Sequence, residues 1–256
     1  MSNEQSYFVK LNTPEREFMF EAEAQGLADL AATQCLRIPN VVCFGKTANN
    51  SYLVLEYIEC HALTSTSSRS LGEKLARLHQ VVQPYFGWHC DNTIGSTPQI
   101  NSREHDWTIF WQQHRLQQQL TFAQQNGYGK QLQNKGDKLT ENLNHFFSDY
   151  QPKPALLHGD LWGGNAAADE HDEPIIYDPA CYYGDRETDI AMTELFGGFS
   201  QDFYAAYNDI YPLDTGYKTR KKLYNLYHII NHANLFGGSY VSQASTMMDQ
   251  LNAEIH

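Results

Sequence analysis

The chain is poor in the features that mark several large classes of protein. Its five cysteines, at 35, 43, 60, 90 and 181, are odd in number, scattered and never spaced Cys-x-x-Cys. That usage argues against a disulfide framework and against a structural zinc site, so free thiols are expected. Basic residues are also scarce, with 18 Lys and Arg against 30 Asp and Glu and a net charge of −12. Nucleic-acid surfaces depend on Lys and Arg, which excludes that partner, whereas an acidic protein suits cationic substrates. No apolar run approaches the roughly eighteen residues of a membrane span. The opening MSNEQSYFVK has neither a basic segment leading into an apolar core nor an Arg-rich amphipathic helix, so the expected address is the cytoplasm.

What is present begins with 41% hydrophobic residues, ample for a core in a chain of 256. The most informative stretch is LLHGDLWGGN, residues 156–165. A lone His-x-Asp can be a turn, or a pair of metal ligands in a hydrolase. Here an apolar, strand-like entry leads to Asp160, Asn165 follows five positions later, and Gly163 and Gly164 permit a tight backbone. That Asp-x-x-x-x-Asn step is the geometry of a kinase catalytic loop: the carboxylate accepts the proton of an attacking hydroxyl, and the carboxamide oxygen ligates magnesium held by nucleotide phosphates. Asp178, ending the run IIYD, supplies a second, anionic magnesium ligand. Phosphoryl transfer from ATP with Mg²⁺ is the chemistry these residues point to.

The elements around this loop can be read in order. SYFVK, 6–10, reads as a strand closed by Lys10. Thr13-Pro14-Glu15 reads as a helix start, and Phe20, Glu23, Leu27 and Leu30 share one face of that helix. An acid on a buried face wants a partner, and Lys10 is the candidate, as in kinases where a strand lysine and a helix glutamate hold the α- and β-phosphates. Residues 37–45 and 50–59 read as two further strands, the second running out through Glu56, Tyr57, Ile58 and Glu59, whose backbone groups would meet an adenine edge. Residues 60–69 read as a linker, 70–80 as a helix with Leu71, Leu75 and Leu78 on its stripe, and 81–101 as a long loop. In that loop Trp88-His89-Cys90-Asp91 reads as a packed Trp with polar neighbours, and His79 before it as structural. Long helices are expected over 106–126, about 130–150 and 221–238. Residues 166–168 and 174–177 form a hairpin that brings Asn165 and Asp178 to the same side. Cys181 to Asp189 is rich in charge for a segment entering an apolar helix, and reads as an internal network in which Asp189 braces the catalytic loop and Arg186 balances carboxylates.

With those residues in place, the chain resembles the fructosamine kinase (ketosamine-3-kinase) family, relatives of aminoglycoside phosphotransferases and choline kinase. The likeness is carried by FVK at 8–10, MFEAEA at 19–24, LVLEYI at 53–58, LARLHQ at 75–80, HGDLWGGN at 158–165, DPACYYGDRETDIAM at 178–192, ELFGGF at 194–199 and LYHIINHANLFGG near the C-terminus. HGDLxxxN marks only the broad superfamily, and the Tyr-Tyr-Gly-Asp-Arg-Glu-x-Asp segment narrows it. The resemblance implies an α+β, protein-kinase-like two-lobed fold, with a small antiparallel sheet lobe over 1–59 and a larger, mostly helical lobe over 60–256. It implies ATP-dependent phosphorylation of the sugar 3-hydroxyl of a free or protein-bound ketosamine, leading to deglycation.

Carried over, Asp160 is the base, Asn165 and Asp178 hold Mg²⁺, and Lys10 meets phosphates with Glu23 behind it. The backbone of 56–59 receives adenine. Trp162, Asp185 and Arg186 become candidates for the substrate pocket, and His158 and Asp189 for support of the loop. Family members have two strands and a glycine turn ahead of FVK, and seven positions cannot hold two strands of typically five or six residues each, so the small sheet is expected without its first two strands. The alternatives are a kinase of another cationic alcohol, aminoglycoside- or choline-like, and an idle pseudokinase.

Overall fold

The computed structural model describes residues 5–255. β1 (Tyr7–Asn12), β2 (Val41–Lys46) and β3 (Ser51–Glu56) form an antiparallel sheet in the order β1-β3-β2, with Lys10 opposite Leu53. The alternation along β3 is strict: Ser51, Leu53 and Leu55 are buried, while Tyr52, Val54 and Glu56 are half-buried. That period of two gives the sheet one packed face, and α1 (Glu17–Ala32) packs against the sheet with Phe20, Leu27 and Leu30 buried. Helix entry differs slightly from expectation. Thr13-Pro14-Glu15 opens a single 3-10 turn, Pro14–Arg16, before the α-helix starts.

β4 (Cys60–His61) follows, and α2 (Ser65–Leu78) starts five residues before the predicted helix. Half of the expected linker is therefore helical, because Thr64 and Ser67 form a reciprocal capping box that a serine-rich stretch disguises. The expected loop 81–101 also has structure: β5 (Asn92–Ile94) and β6 (Thr97–Gln99) form a hairpin. Its buried side chains, rather than its turn, fix it. Asn92 Oδ1 accepts from both Gln99 and Asn101 at 2.9 Å, and Asn92 Nδ2 donates to the carbonyl of Cys181 at 2.8 Å. This ties the hairpin to the segment just after Asp178.

The predicted helix 106–126 is continuous but not uniform: α3 (Trp107–Trp111), a π-helical turn over Gln112–Leu116, and α4 (Gln117–Gln125). Arg115 in the π turn is fully buried, donating to the carbonyl of Ile100 at 2.7 Å and to Asn101 Oδ1 at 2.8 Å, with its guanidinium over Tyr182. α5 (Gly129–Glu141) is shorter than expected, giving way to a 3-10 segment, Leu143–Phe147.

β7 (Ala155–Leu157) pairs with β10 (Tyr182–Gly184), and β8 (Ala166–Asp169) lies between β4 and β9 (Pro174–Ile176). The rest is helical: α6 (Glu187–Thr193), α7 (Gln201–Ile210), α8 (Tyr217–Phe236) and α9 (Ser239–Glu254). α8 runs along the core with Leu223, Leu226, Ile229 and Ile230 fully buried, and α9, not foreseen, folds back against it. All five cysteines are free. Among the described residues no helix is long and apolar enough to cross a membrane.

Candidate active site

β7 delivers the chain into His158-Gly159-Asp160, and the backbone there can take only one form. Gly159 has φ +83, and a Cβ on it would lie 2.0 Å from the carbonyl oxygen of Ala180, so no other residue fits. Asp189, buried on α6, accepts the backbone N–H groups of His158 at 2.7 Å and Gly159 at 2.9 Å. His79 Nε2 lies 3.2 Å from the same carboxylate, and its Nδ1 lies 2.8 Å from the hydroxyl of Tyr207. Burial works to raise the pKa of Asp189, but the bonds from His79 and Gly159 outweigh it and hold the carboxyl below its usual range.

His158 is fully buried, which depresses its pKa and keeps the ring neutral. Nε2 donates to the carbonyl of Tyr177 at 2.9 Å, leaving Nδ1 to accept the N–H of Asp160 at 3.3 Å. One imidazole thus links the catalytic-loop segment to the strand that leads to Asp178.

Asp160, Asn165 and Asp178 line one cleft of about 340 Å³ with Lys10 and Glu23. Asn165 Nδ2 donates to the Asp160 carbonyl at 2.8 Å, and this turns its Oδ1 to the other side of the carboxamide. Asp178 sits at φ +58, in the left-handed region, a conformation that non-glycine residues hold at positions their surroundings over-determine. Lys10 pairs with Asp178, and its Nζ is 2.7 Å from Glu23 Oε1. Burial pulls the lysine's pKa down, yet the two carboxylates more than compensate and raise it, so the ammonium is firmly charged.

Burial raises the Asp160 carboxyl to about 7, helped by the nearby charges of Asp178 and Asp189 and opposed by the bond from Asn165. A carboxylate of that basicity is suited to taking a proton near neutral pH. Asn165 and Asp178 offer oxygen donors of the kind magnesium takes, one carboxylate and one carboxamide beside phosphate oxygens. Among the described residues no group of three or more His, Cys, Asp or Glu could hold a metal, so the protein oxygens do not make a closed cage.

Two further clefts adjoin this one. A cleft of about 350 Å³ lies between Phe8, Leu55, Glu56, Tyr57, Ile58, Ile175 and Tyr177 and shares Asp178 with the first. It gathers three of the four expected adenine-contacting residues, Glu59 lying outside its lining. The other, also about 350 Å³, shares Gly95, Asp160 and Trp162 with the first and continues to α8 and α9.

Two expected substrate residues sit elsewhere. Asp185 is fully buried and accepts the hydroxyls of Tyr150, at 2.9 Å, and Tyr224. Arg186 is spent on the Tyr207 hydroxyl at 3.0 Å and on the carbonyls of Tyr211 and Pro212. Both face the interior rather than a cleft, because their charges are consumed within the protein, so the substrate assignment is withdrawn. Trp162, 41% exposed, does line the cleft. The sequence reading missed Asn92, Thr93 and Gly95 of the β5–β6 hairpin and the wall from α8 and α9. The glycine at 95 and the Asn-Thr-Ile strand signal were there to be read, but a two-strand hairpin of three residues each leaves a faint trace.

The family model for fructosamine kinase matches residues 1–254. A probable ketoamine kinase of Synechocystis is 49% identical over 253 residues, covering 98% of this chain and 84% of the relative. The chloroplastic protein-ribulosamine 3-kinase of Arabidopsis thaliana is 42% identical over 247 residues, 95% of this chain and 75% of that protein. The crystal structure of a putative fructosamine-3-kinase from Haemophilus somnus superposes with a TM-score of 0.90 at 35% identity, covering 96% of this chain and 84% of that one. The aminoglycoside phosphotransferase APH(2'')-Ib, bound to ADP, has a TM-score of 0.64 at 14% identity over 97% of this chain and 88% of its own, a likeness of fold. The fold is therefore the protein-kinase-like one, a small antiparallel sheet beside a larger helical part. On these grounds the chain belongs to the fructosamine kinase family of ATP-dependent phosphotransferases.

Proposed function

We propose that this chain transfers the γ-phosphoryl group of ATP to the sugar 3-hydroxyl of a ketosamine. The observation that carries the reading is the run of three clefts joined end to end, the Lys10 cleft in the middle sharing Asp178 with the cleft beside 56–58 and Asp160 with the cleft that reaches α8 and α9. Adenine occupies the cleft beside 56–58, phosphates the one holding Lys10, and the acceptor the one beyond Asp160. The Glu56 N–H is already donated to the Asn40 carbonyl at 2.9 Å, so the N–H groups offered to the adenine edge are those of Tyr57 and Ile58.

In the transfer step the acceptor oxygen bonds to the γ-phosphorus, the bond from that phosphorus to the bridging oxygen breaks, and ADP leaves. The hydroxyl proton passes to an Asp160 carboxylate oxygen. Lys10 neutralises phosphate charge while Glu23 keeps its ammonium directed into the cleft. Asn165 and Asp178 would hold Mg²⁺, which supplies charge neutralisation on the phosphates. Trp162 forms a wall of the acceptor cleft. Asp189 and His158 act on the loop rather than on the substrate. The lobe division falls near residue 59, where β3 has ended and β4 has not yet joined β8.

The test is ADP release over a panel of ribulosamine, erythrulosamine and fructosamine compounds, run beside aminoglycosides and choline. Turnover of a ketosamine supports the reading. Turnover of only the other alcohols redirects it to a different acceptor, and silence across the panel despite nucleotide binding marks a pseudokinase.

A further inference from the structure

α2 and α7 lie closer together than ordinary side chains allow. A Cβ at Gly72 would sit 2.3 Å from the carbonyl oxygen of Phe203, so the two backbones meet there with no side chain between them. His79 follows Gly72 by about two helical turns and caps α2, and Tyr207 follows Phe203 by about one turn of α7. Their buried rings meet edge to face with centroids 5.7 Å apart.

The polar atoms in this contact have a direction. Arg186 can only donate, so its Nη1, 3.0 Å from the Tyr207 hydroxyl, gives a hydrogen bond to that oxygen. Burial pushes the Tyr207 pKa up and keeps the phenol protonated, which leaves its hydrogen for His79 Nδ1 at 2.8 Å. Asp189 is held ionised and can only accept. It takes the Nε2–H of His79 at 3.2 Å, so Nδ1 is the lone-pair side of the neutral ring. The same carboxylate takes the N–H groups of His158 and Gly159. From Arg186 to the catalytic loop, each donor along this path meets an acceptor.

Among the described residues no Lys or Arg forms an ion pair with Asp189, so the side chain that fixes the plane of its carboxylate is His79. That ring is oriented in turn by the Tyr207 hydroxyl. Arg186 keeps the hydroxyl from turning away, and is itself anchored by the carbonyls of Tyr211 and Pro212, with its guanidinium 3.5 Å from the Tyr211 ring centroid. We propose that Tyr207 is a positioning residue for phosphoryl transfer, its hydroxyl orienting His79 and, through Asp189, the loop that carries Asp160. Tyr207 lines none of the three clefts and so touches neither nucleotide nor acceptor. The proposal rests on the transfer step given above and extends the support of the loop from α6 to α2 and α7.

Tyr207→Phe removes the hydroxyl and keeps the ring that packs on His79. With a ketosamine that the unaltered protein turns over, kcat is expected to fall about tenfold while KM for ATP stays within about twofold, a loss smaller than the roughly 10²-fold cost of misplacing a reacting group by an ångström. His79→Gln, whose carboxamide N–H still reaches toward Asp189, should retain more of kcat than His79→Leu, which has nothing to donate. With leucine at 79 the hydroxyl has no ring to orient, so adding Tyr207→Phe should cost no further kcat, the non-additivity of groups that act in one network. All variants are assayed below the lowest Tm among them. If Tyr207→Phe does not fold, Arg186→Lys takes its place and should lower kcat severalfold at unchanged KM for ATP, because an ammonium does not reproduce the guanidinium fork. An unchanged kcat in the variant measured, losses at 79 and 207 that multiply, or equal changes in kcat and KM for ATP overturn the assignment while leaving the transfer step standing. An unaltered protein that turns over no ketosamine overturns the transfer step, and the assignment with it.

Discussion

Lys10 on β1 forms an ion pair with Asp178, 168 positions away at the end of the β8–β9 hairpin. The contact joins the three-stranded sheet to the catalytic loop region and sets Lys10 between two carboxylates, those of Glu23 and Asp178. Replacing the lysine leaves these acids facing each other without a cation. Lys10→Met is therefore expected to raise KM for ATP by at least about tenfold and to lower stability by on the order of 1–3 kcal/mol, the cost of leaving a buried polar partner unsatisfied. Steady-state kinetics and urea unfolding measure the two effects separately.

Asp160→Asn preserves the size of the side chain and removes its capacity to take a proton. We expect kcat to fall by roughly 10² or more, the usual contribution of a general base. Nucleotide affinity, followed by titration with ADP, should stay within a few-fold of the parent. Near-normal kcat in this variant would reassign the base.

The environment of Asp160 also predicts a pH profile. Its carboxyl is raised to about 7, chiefly by burial, and it must be ionised to act. Activity therefore rises with pH, with an apparent midpoint at or below about 7, since a bound cation beside it would draw the value down. A log(kcat/KM) profile between pH 5 and 9 that is flat across this window would contradict the role given to Asp160.

His228, buried on α8, has its pKa depressed to about 3, first by loss of solvation and then by the neighbouring His232. An unfolded histidine titrates near 6.5, so below that pH the unfolded state binds a proton that the folded state refuses. Stability from this group is complete above about 6.5 and is lost as pH falls toward 3, at up to about 1.4 kcal/mol per pH unit. His158 contributes in the same direction. Urea midpoints measured from pH 7.5 to 5 should fall for the parent and fall less steeply for His228→Gln.

Asp189 binds two consecutive backbone N–H groups of the catalytic loop and one nitrogen of His79. Asp189→Ala is expected to destabilise the protein by about 3–5 kcal/mol, because it strips partners from buried donors and breaks a charge-assisted network. Asp189→Asn, which keeps one acceptor oxygen, should lose less. Its kcat should fall further than its KM for ATP rises, because the loop carrying Asp160 moves while the adenine cleft does not. Equal loss in the two parameters would place Asp189 outside that role.

The amino-acid sequence alone determined the local chemistry. The Asp160-to-Asn165 step, the acid on the α1 face at Glu23, the strand ending in Asp178 and the alternation of β3 are all properties of neighbours within a few positions, where helix and strand periods can be read directly. Only the tertiary structure decided what lay between distant segments. The Thr64–Ser67 cap, the β5–β6 hairpin and α9 gave weak local signals and are held by packing and side-chain bonds. Asp185 and Arg186 looked available as charges on a loop, yet Tyr150, Tyr224 and Tyr207 claim them inside the protein. The cleft beyond Asp160 draws on Trp162, Phe196, α8 and the start of α9. Those positions are far apart along the chain, and no sequence period links them. Their meeting follows from burial of the core beneath them.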